Sequence, residues 1–393
     1  MSFCLLYGYA FGDMRIILAL FWLAWIIFVL FDGFETLVLP RRVSRQFRYS
    51  RFFYLGTWRL WRALALALPP GKRRENFLSY FGPLSILGLF ISWVIALIVG
   101  FGFLHAALGT ALEAPEGTVQ LGTYLYYSGD TFFTLGSGEI RPLHAFGRFL
   151  TVAEAGIGFG FIAIIIGYLP VLYQAFSRRE LTISVLDARA GSPPSAGQLL
   201  LRLARSGQVS TLNLFLLEWE RWSAELLESH LSFPVLTYYR SQHDNQSWLA
   251  AVTIVLDTGA LLLAAVKDAD RYQAQLTFAM ARHAVVDLAM VFRTPPRPPE
   301  PERLPAADWQ RVCAALREAG LAIREGPTVE EKLRELRMTY EPFVNALAGR
   351  LLFALPAWLP DKAIVDNWQT SAWTTRTAGI GSLPLTDADR EHL

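Results

Sequence analysis

Charge is scarce in this chain. Only 18% of its 393 residues are Asp, Glu, Lys or Arg, whereas a soluble domain carries about 25%. Cysteine is scarcer still: Cys4 and Cys313 share no local motif, which argues against a disulfide framework and a paired-cysteine metal site. The six histidines show no metal-ligand spacing, and no serine sits in a nucleophile elbow. The expectation is therefore a protein that is not an enzyme and carries no resident cofactor. Thirty-six basic against 34 acidic residues leave a net charge of +2, too small a balance to imply a nucleic-acid partner. What the chain has in excess is apolar: 53% hydrophobic and 13% aromatic residues. That composition calls for an apolar solvent, with length enough for one membrane-embedded domain and one soluble domain.

The apolar residues are concentrated early. Ile16 to Phe31 is an unbroken run of sixteen between Arg15 and Asp32, short for a span of about 20 residues. It is too aromatic for a signal-peptide core, and no small-residue cleavage site follows. Phe81 to Leu108 is charge-free apart from His105, and Phe149 to Phe176 is interrupted only by Glu154. Between the first two spans, Pro40 to Arg74 holds ten basic residues and no acid. Such an excess belongs on the cytoplasmic side. The expected topology places the N-terminus outside a plasma or inner membrane, three crossings, and the C-terminal domain inside. The expected divisions are a transmembrane helix in 1–40, a basic segment in 41–80, a pore-like unit in 81–180 and a helical domain in 181–393.

Within the basic segment, Arg45, Arg48, Arg51, Arg59 and Arg62 share a 120° arc at helical periodicity, with Phe47, Phe52, Phe53, Trp58, Leu60 and Trp61 mostly elsewhere. The pattern suits a helix in the headgroup region with arginines on anionic lipid. Packing on the soluble domain is the competing reading.

Between the second and third spans lies a segment too short and polar to cross twice. It reads as an apolar, aromatic helix from about Tyr124 to Phe133, then Thr134-Leu-Gly-Ser-Gly138. A short helix followed by a glycine-rich extended strand suits a re-entrant loop, because irregular backbone at membrane depth is tolerated where it lines a water path. Here the chain resembles the pore-loop potassium channels with two helices per pore unit. Their filter reads T-V-G-Y-G-D, then a small aliphatic residue and a proline; this chain has Thr134-Leu135-Gly136-Ser137-Gly138-Glu139-Ile140-Arg141-Pro142. The resemblance spans roughly 83–176. It implies that Thr134, Leu135, Gly136, Ser137 and Gly138 bind a permeant cation, K+ or Na+, through backbone carbonyls. It also implies that Tyr126, Tyr127, Asp130 and Glu139 support them.

The residue types have a physical reason. A cation shedding its water needs a column of inward carbonyl oxygens. Alternate residues then adopt left-handed dihedrals, which glycine takes without steric cost. One chain supplies one strand, so a closed ring of oxygens takes four copies and a homotetramer is expected. Ser137 departs from the family, whose aromatic ring at this position packs outward. Two outcomes stay open: a potassium-preferring pore in which Ser137 bonds to Tyr127 or Asp130, or a widened, weakly selective cation pore. A membrane-anchored sensor with a non-conducting loop is the reading from another class.

Gly158 sits where the family places an inner-helix hinge, against close packing of small residues as the alternative; Pro170 is a candidate kink. Glu154 is expected to pack behind the filter near Asp130 or Arg148, and His105 and His144 to lie at the outer surface. If Asp130 and Glu139 approach, one of them should hold a proton.

Beyond residue 181 the periodicity predicts helices at about 196–205, 208–231, 246–267, 272–292, 306–320, 328–355 and 362–376. Linkers at 191–195 and 294–301 are rich in proline, and the second is expected to split the domain into two lobes. Asp257 midway in 247–266 favours a buried soluble helix over a fourth span. Arg240 to Gln246 is a polar cluster, either a site for an unidentified cytoplasmic ligand or a capping loop. The fold class expected is all-α, a tetrameric channel pore with an all-α cytoplasmic domain.

Overall fold

The computed structural model describes residues 2–39, 47–115, 117–207, 209–241, 246–267 and 269–360, with side chains from Met14 onward except that of Val209. They fall into two compact units, one within 1–177 together with 229–240, the other within 178–228 and 241–393. Among the described residues the architecture is helical apart from a two-residue antiparallel ladder and an isolated antiparallel bridge between Val266 and Ile323.

The first unit begins with α1 (Ser2–Leu37), α2 (Tyr49–Ala67), α3 (Lys72–Ser79) and α4 (Phe81–Leu108). It continues with α5 (Leu121–Phe132) and the part of α6 (Ala145–Ala190) up to Ser177. Three stretches, Met14–Leu37, Lys72–Leu108 and Ala145–Ala190, are long and apolar enough to cross a bilayer. The chain is a membrane protein.

The first crossing lies within 1–40 and continues past the end of the unbroken apolar run at Phe31. Asp32 does not stop α1 because its carboxylate is fully buried and satisfied: it accepts from the Trp93 indole (3.1 Å) and from the Ser50 amide (3.0 Å) and hydroxyl (3.2 Å). Ser50 lies in the first turn of α2, so the Asp32 carboxylate also takes up one of the amides that helix leaves unpaired at its start. Close packing of α1 on α4 uses a glycine: a Cβ at Gly100 would stand 2.8 Å from Ile26. Trp25 donates to the Ala96 carbonyl (3.0 Å) from the same face.

The arginines of 45–62 do not share one fate. Arg45 lies outside the described residues. Arg48 turns back into the protein, donating to the Thr36 hydroxyl (2.9 Å) and standing 3.8 Å from Glu35. That corrects its expected lipid-facing role, since a buried carboxylate competes for it. Arg59 is exposed, whereas Arg51 and Arg62 are half-buried. The other face of α2 buries Trp58 against Phe81 and Tyr238.

The third apolar helix also outlasts its expected end at Phe176, running without a break to Ala190 through Pro170. Arg179 does not end it, being paired with Glu180 at 2.8 Å.

The second unit is built around α9 (Trp248–Ala264), all buried except Leu263. Packed with it in the same unit are α7 (Ala196–Arg205), α10 (Arg271–Val291), α12 (Pro327–Met338) and α13 (Glu341–Leu351), while α11 (Ala306–Glu318) packs on α7. Helix α8 (Leu212–Ser232) adds Phe215, Trp219 and Trp222 to the buried core. Asp257, in the middle of apolar α9, is held by Arg303 (2.7 Å) and the Tyr340 hydroxyl (2.5 Å); Arg303 also pairs with Glu341 at 3.0 Å. The 294–301 stretch does not divide two lobes, because α12 and α13 pack back on α9 and α10. The helix expected over 328–355 is two helices, broken at Tyr340 with Pro342 in the first turn of α13. The helix expected at 362–376 lies outside the described residues. Arg240 pairs with Glu75 at 3.3 Å and Ser247 caps α9 through the Ala250 amide; residues 242–245 of that polar cluster lie outside the described residues.

Candidate functional site

Between α4 and α6 the chain turns back on itself. Helix α4 stops at Gly109 in the left-handed region (φ 64°). Strands β1 (Leu112–Glu113) and β2 (Arg141–Pro142) then pair antiparallel, and Arg141 bonds Glu113 at 2.8 Å. This ladder ties the start of the excursion to its end. Between the two strands lie α5 and the Thr134–Gly138 loop.

The helix α5 starts at Leu121, earlier than the expected Tyr124, because the Thr123 hydroxyl accepts from the Gln120 amide (3.1 Å). It ends abruptly. The Thr134 amide donates to the Thr131 carbonyl (3.0 Å) and the Leu135 amide to the Asp130 carbonyl (2.9 Å). With Thr134 at φ 52°, this is the Schellman arrangement that closes a helix end. A β-branched residue with positive φ is a costly choice there, by about 1–2 kcal/mol. The backbone then alternates: Thr134, Gly136 and Gly138 have φ of 52°, 65° and 73°, and neither Leu135 nor Ser137 has positive φ. Residues 133–139 are all exposed in the single chain, Leu135 by 72%.

The loop's internal support is narrow. Asp130 accepts from the Ser137 amide at 3.2 Å. The bond expected of Ser137 toward Asp130 thus exists through its main chain. Glu139 is exposed, and nothing in the structure brings it to the Asp130 carboxylate. Of the tyrosine pair, Tyr127 is buried with its hydroxyl on Thr151, while Tyr126 is 53% exposed.

Behind α5 the structure corrects the sequence reading of two residues. His105 is not at the surface, and Glu154 meets neither Asp130 nor Arg148. Both are fully buried, with His105 Nε2 at 3.3 Å from Glu154 Oε2 and the Ser128 hydroxyl on Glu154 Oε1. His144 is exposed, as expected. An ionisable residue inside a span flagged Glu154, but its partners sit on other helices and left no local signal. Ser128, Thr151 and Thr110 were missed for the same reason.

Gly158 is buried against the end of α5. A Cβ there would stand 3.0 Å from the Phe132 carbonyl carbon, 3.1 Å from its Cα, and closer still to its oxygen. The expected hinge is a close-packing position, and α6 is continuous through it. Gly156, Gly160 and Gly167 meet nothing within 4 Å. Val152, Phe159, Ile166 and Tyr173, at seven-residue intervals on α6, are each at least 65% exposed. Among the described residues no three His, Cys, Asp or Glu side chains gather in a way that could hold a metal ion.

Comparison with known proteins agrees with this geometry. A family model described as "Ion channel" matches residues 87–174. The chain is 26% identical to the "Uncharacterized membrane protein YdjJ" of Bacillus subtilis (strain 168) over 239 residues, 57% of this chain and 67% of that protein. No solved structure matches. The match begins in α4, includes α5 and the Thr134–Gly138 loop, and ends in α6, the three parts that fold together here. The chain is therefore a membrane protein in which residues 87–174, from α4 through the loop to α6, match an ion channel family.

Proposed function

We propose that this ion channel passes monovalent cations, with potassium preferred, through an axis surrounded by four copies of Thr134–Gly138. The observation that carries the reading is the left-handed backbone at residues 134, 136 and 138. Alternation of hand turns successive carbonyls toward one side, which is what replacing a cation's hydration shell requires. The loop follows directly on the C-terminus of α5, where the helix dipole is negative and favours a cation. The complete exposure of 133–139 in one chain supports assembly, since irregular backbone at membrane depth needs protein or water around it. In this assignment Thr134 adds a hydroxyl ring, Tyr127 and Asp130 hold the loop, Glu139 lies at the mouth, and Pro170 shapes the gate.

Ser137 favours a second reading, a weakly selective pore. It lacks a ring to hold the outer half of the loop, and only its amide is tied down, by Asp130. The arrangement we assign places residues 40–74 at the cytoplasmic face of a cell membrane, with Arg51, Arg59 and Arg62 near anionic headgroups. The second unit is then cytoplasmic.

Purified protein in potassium-loaded liposomes tests the proposal. Cation flux is expected, and Gly136→Asp is expected to abolish it while leaving the assembly intact. A parent protein without flux would overturn the channel reading and leave a membrane-anchored sensor.

A further inference from the structure

A polar network behind α5 joins buried ionisable and hydroxyl groups from three helices, and the Thr134–Gly138 loop touches none of them directly. His105 comes from α4, Ser128 from α5 and Glu154 from α6, each fully buried. Glu154 stands between the other two, 3.3 Å from His105 on one oxygen and bonded to the Ser128 hydroxyl on the other. Ser128 Oγ also lies 2.9 Å from the Ile98 carbonyl of α4. The chain of contacts runs on through His105 Nδ1 and the Thr110 hydroxyl (3.1 Å), and the Tyr124 hydroxyl donates to the Thr110 carbonyl (2.9 Å). The Tyr127 ring meets the His105 ring edge-on at 5.4 Å.

Burying such a pair inside apolar helices is expensive, and apolar side chains of similar volume pack as well or better. What such a contact adds is direction: the His105–Glu154 approach and the Ser128 bond to Glu154 together favour one register of three helices. That matters for α5, which has only twelve residues and carries an exposed loop. Ser128 and Asp130 are two positions apart on that helix, so they face opposite sides. One faces the buried pair; the other holds the Ser137 amide. Any rotation of α5 permitted at Ser128 is passed to the loop through Asp130.

We propose that His105, Glu154 and Ser128 are positioning residues for permeation: they fix the rotation of α5 and thereby which cation the loop accepts. This rests on the cation-channel reading above.

The test is the reversal potential of the full-length protein in planar bilayers, with potassium on one side and sodium on the other. Glu154→Gln keeps the shape of the side chain and an acceptor for Ser128 while removing the charge. We expect it to assemble at the parental size and conduct, with the sodium-to-potassium permeability ratio moved at least threefold. Where the parent passes both ions equally, the expected change is a threefold shortening of conducting bursts. A merely structural role would lower the yield of assembled channels without changing the ratio or bursts of those that form. Parental ratio and burst length in Glu154→Gln would overturn the proposal. If that variant does not assemble, Ser128→Ala is held to the same criteria. A parent that carries no current rejects the channel reading and this inference with it; a conducting parent with unaltered variants rejects this inference alone.

Discussion

The contact between Gly158 and the end of α5 separates two roles for an inner-helix glycine. The substitution to make is Gly158→Ala. The added carbon meets the Phe132 carbonyl carbon at 3.0 Å and its Cα at 3.1 Å, with the oxygen nearer still, where ordinary contacts are 3.4–4 Å. These are backbone atoms, so no side chain can rotate away and α5 or α6 must shift. Overpacking of this kind costs about 1–3 kcal/mol, against which the better helix propensity of alanine returns about 1 kcal/mol. At Gly156, with nothing within 4 Å, the same change carries only the propensity gain. The two variants should therefore differ by about 1–3 kcal/mol in favour of Gly156→Ala, the difference being the overpacking cost alone. Thermal challenge of detergent-solubilised protein, followed by size-exclusion analysis of the surviving fraction, reads the order directly. Gly158→Ala is expected to lose its fold at the lower temperature, with reduced cation flux. If Gly158→Ala survives to the temperature of Gly156→Ala or beyond, the close-packing argument is wrong and a hinge is the better account.

Asp32→Ala leaves the Trp93 indole and two Ser50 groups without their acceptor, at a cost of about 2–5 kcal/mol, and Asp32→Asn should cost less. Tryptophan fluorescence during heating measures this, and equal melting of both variants with the parent would refute the buried-acceptor role. In the second unit, burial works against the Arg303 charge, yet Asp257, Tyr340 and Glu341 hold its guanidinium above the ordinary value. Arg303→Met leaves the buried Asp257 carboxylate without its cation, while Glu341 keeps Arg337 at 3.1 Å, and should cost about 3–5 kcal/mol; a double-mutant cycle with Asp257→Asn should show strong coupling, and simple additivity would argue against it. Burial pushes the Cys313 thiol up to about 11. At pH 8 only about one part in a thousand is then thiolate, the reactive form. In a Cys4→Ser background, alkylation should be slow at pH 8, accelerate as pH rises, and become rapid on denaturation. Fast labelling of the native protein at pH 8 would contradict the burial.

Most of the membrane unit was legible because periodicity and apolar runs are local. The second span falls on α4, and the Thr134–Gly138 segment follows a short helix as its composition suggested. Failures came where a charged group was taken as a boundary. Asp32 ends the apolar run in sequence, yet α1 continues through it because Trp93 and Ser50 donate hydrogen bonds to its carboxylate. Only folding brings Trp93 beside Asp32, so no reading of residues 16–39 alone could find it. His105 and Glu154 failed similarly: each is an isolated polar residue on its own helix, and their pairing is a property of three packed helices. The break at Tyr340 is different, since Pro342 was visible and marks a helix start as readily as a helix stop.

The bi-ionic reversal potential of the parent protein bears most directly on the central claim that main-chain oxygens of residues 134–138 coordinate the passing ion. Under equal potassium and sodium on opposite sides, we predict a cation current that reverses toward the potassium equilibrium value, is absent in Gly136→Asp, and gains preference in Ser137→Tyr. A current carried by chloride, or one indifferent to both substitutions, would show that ions take some other route.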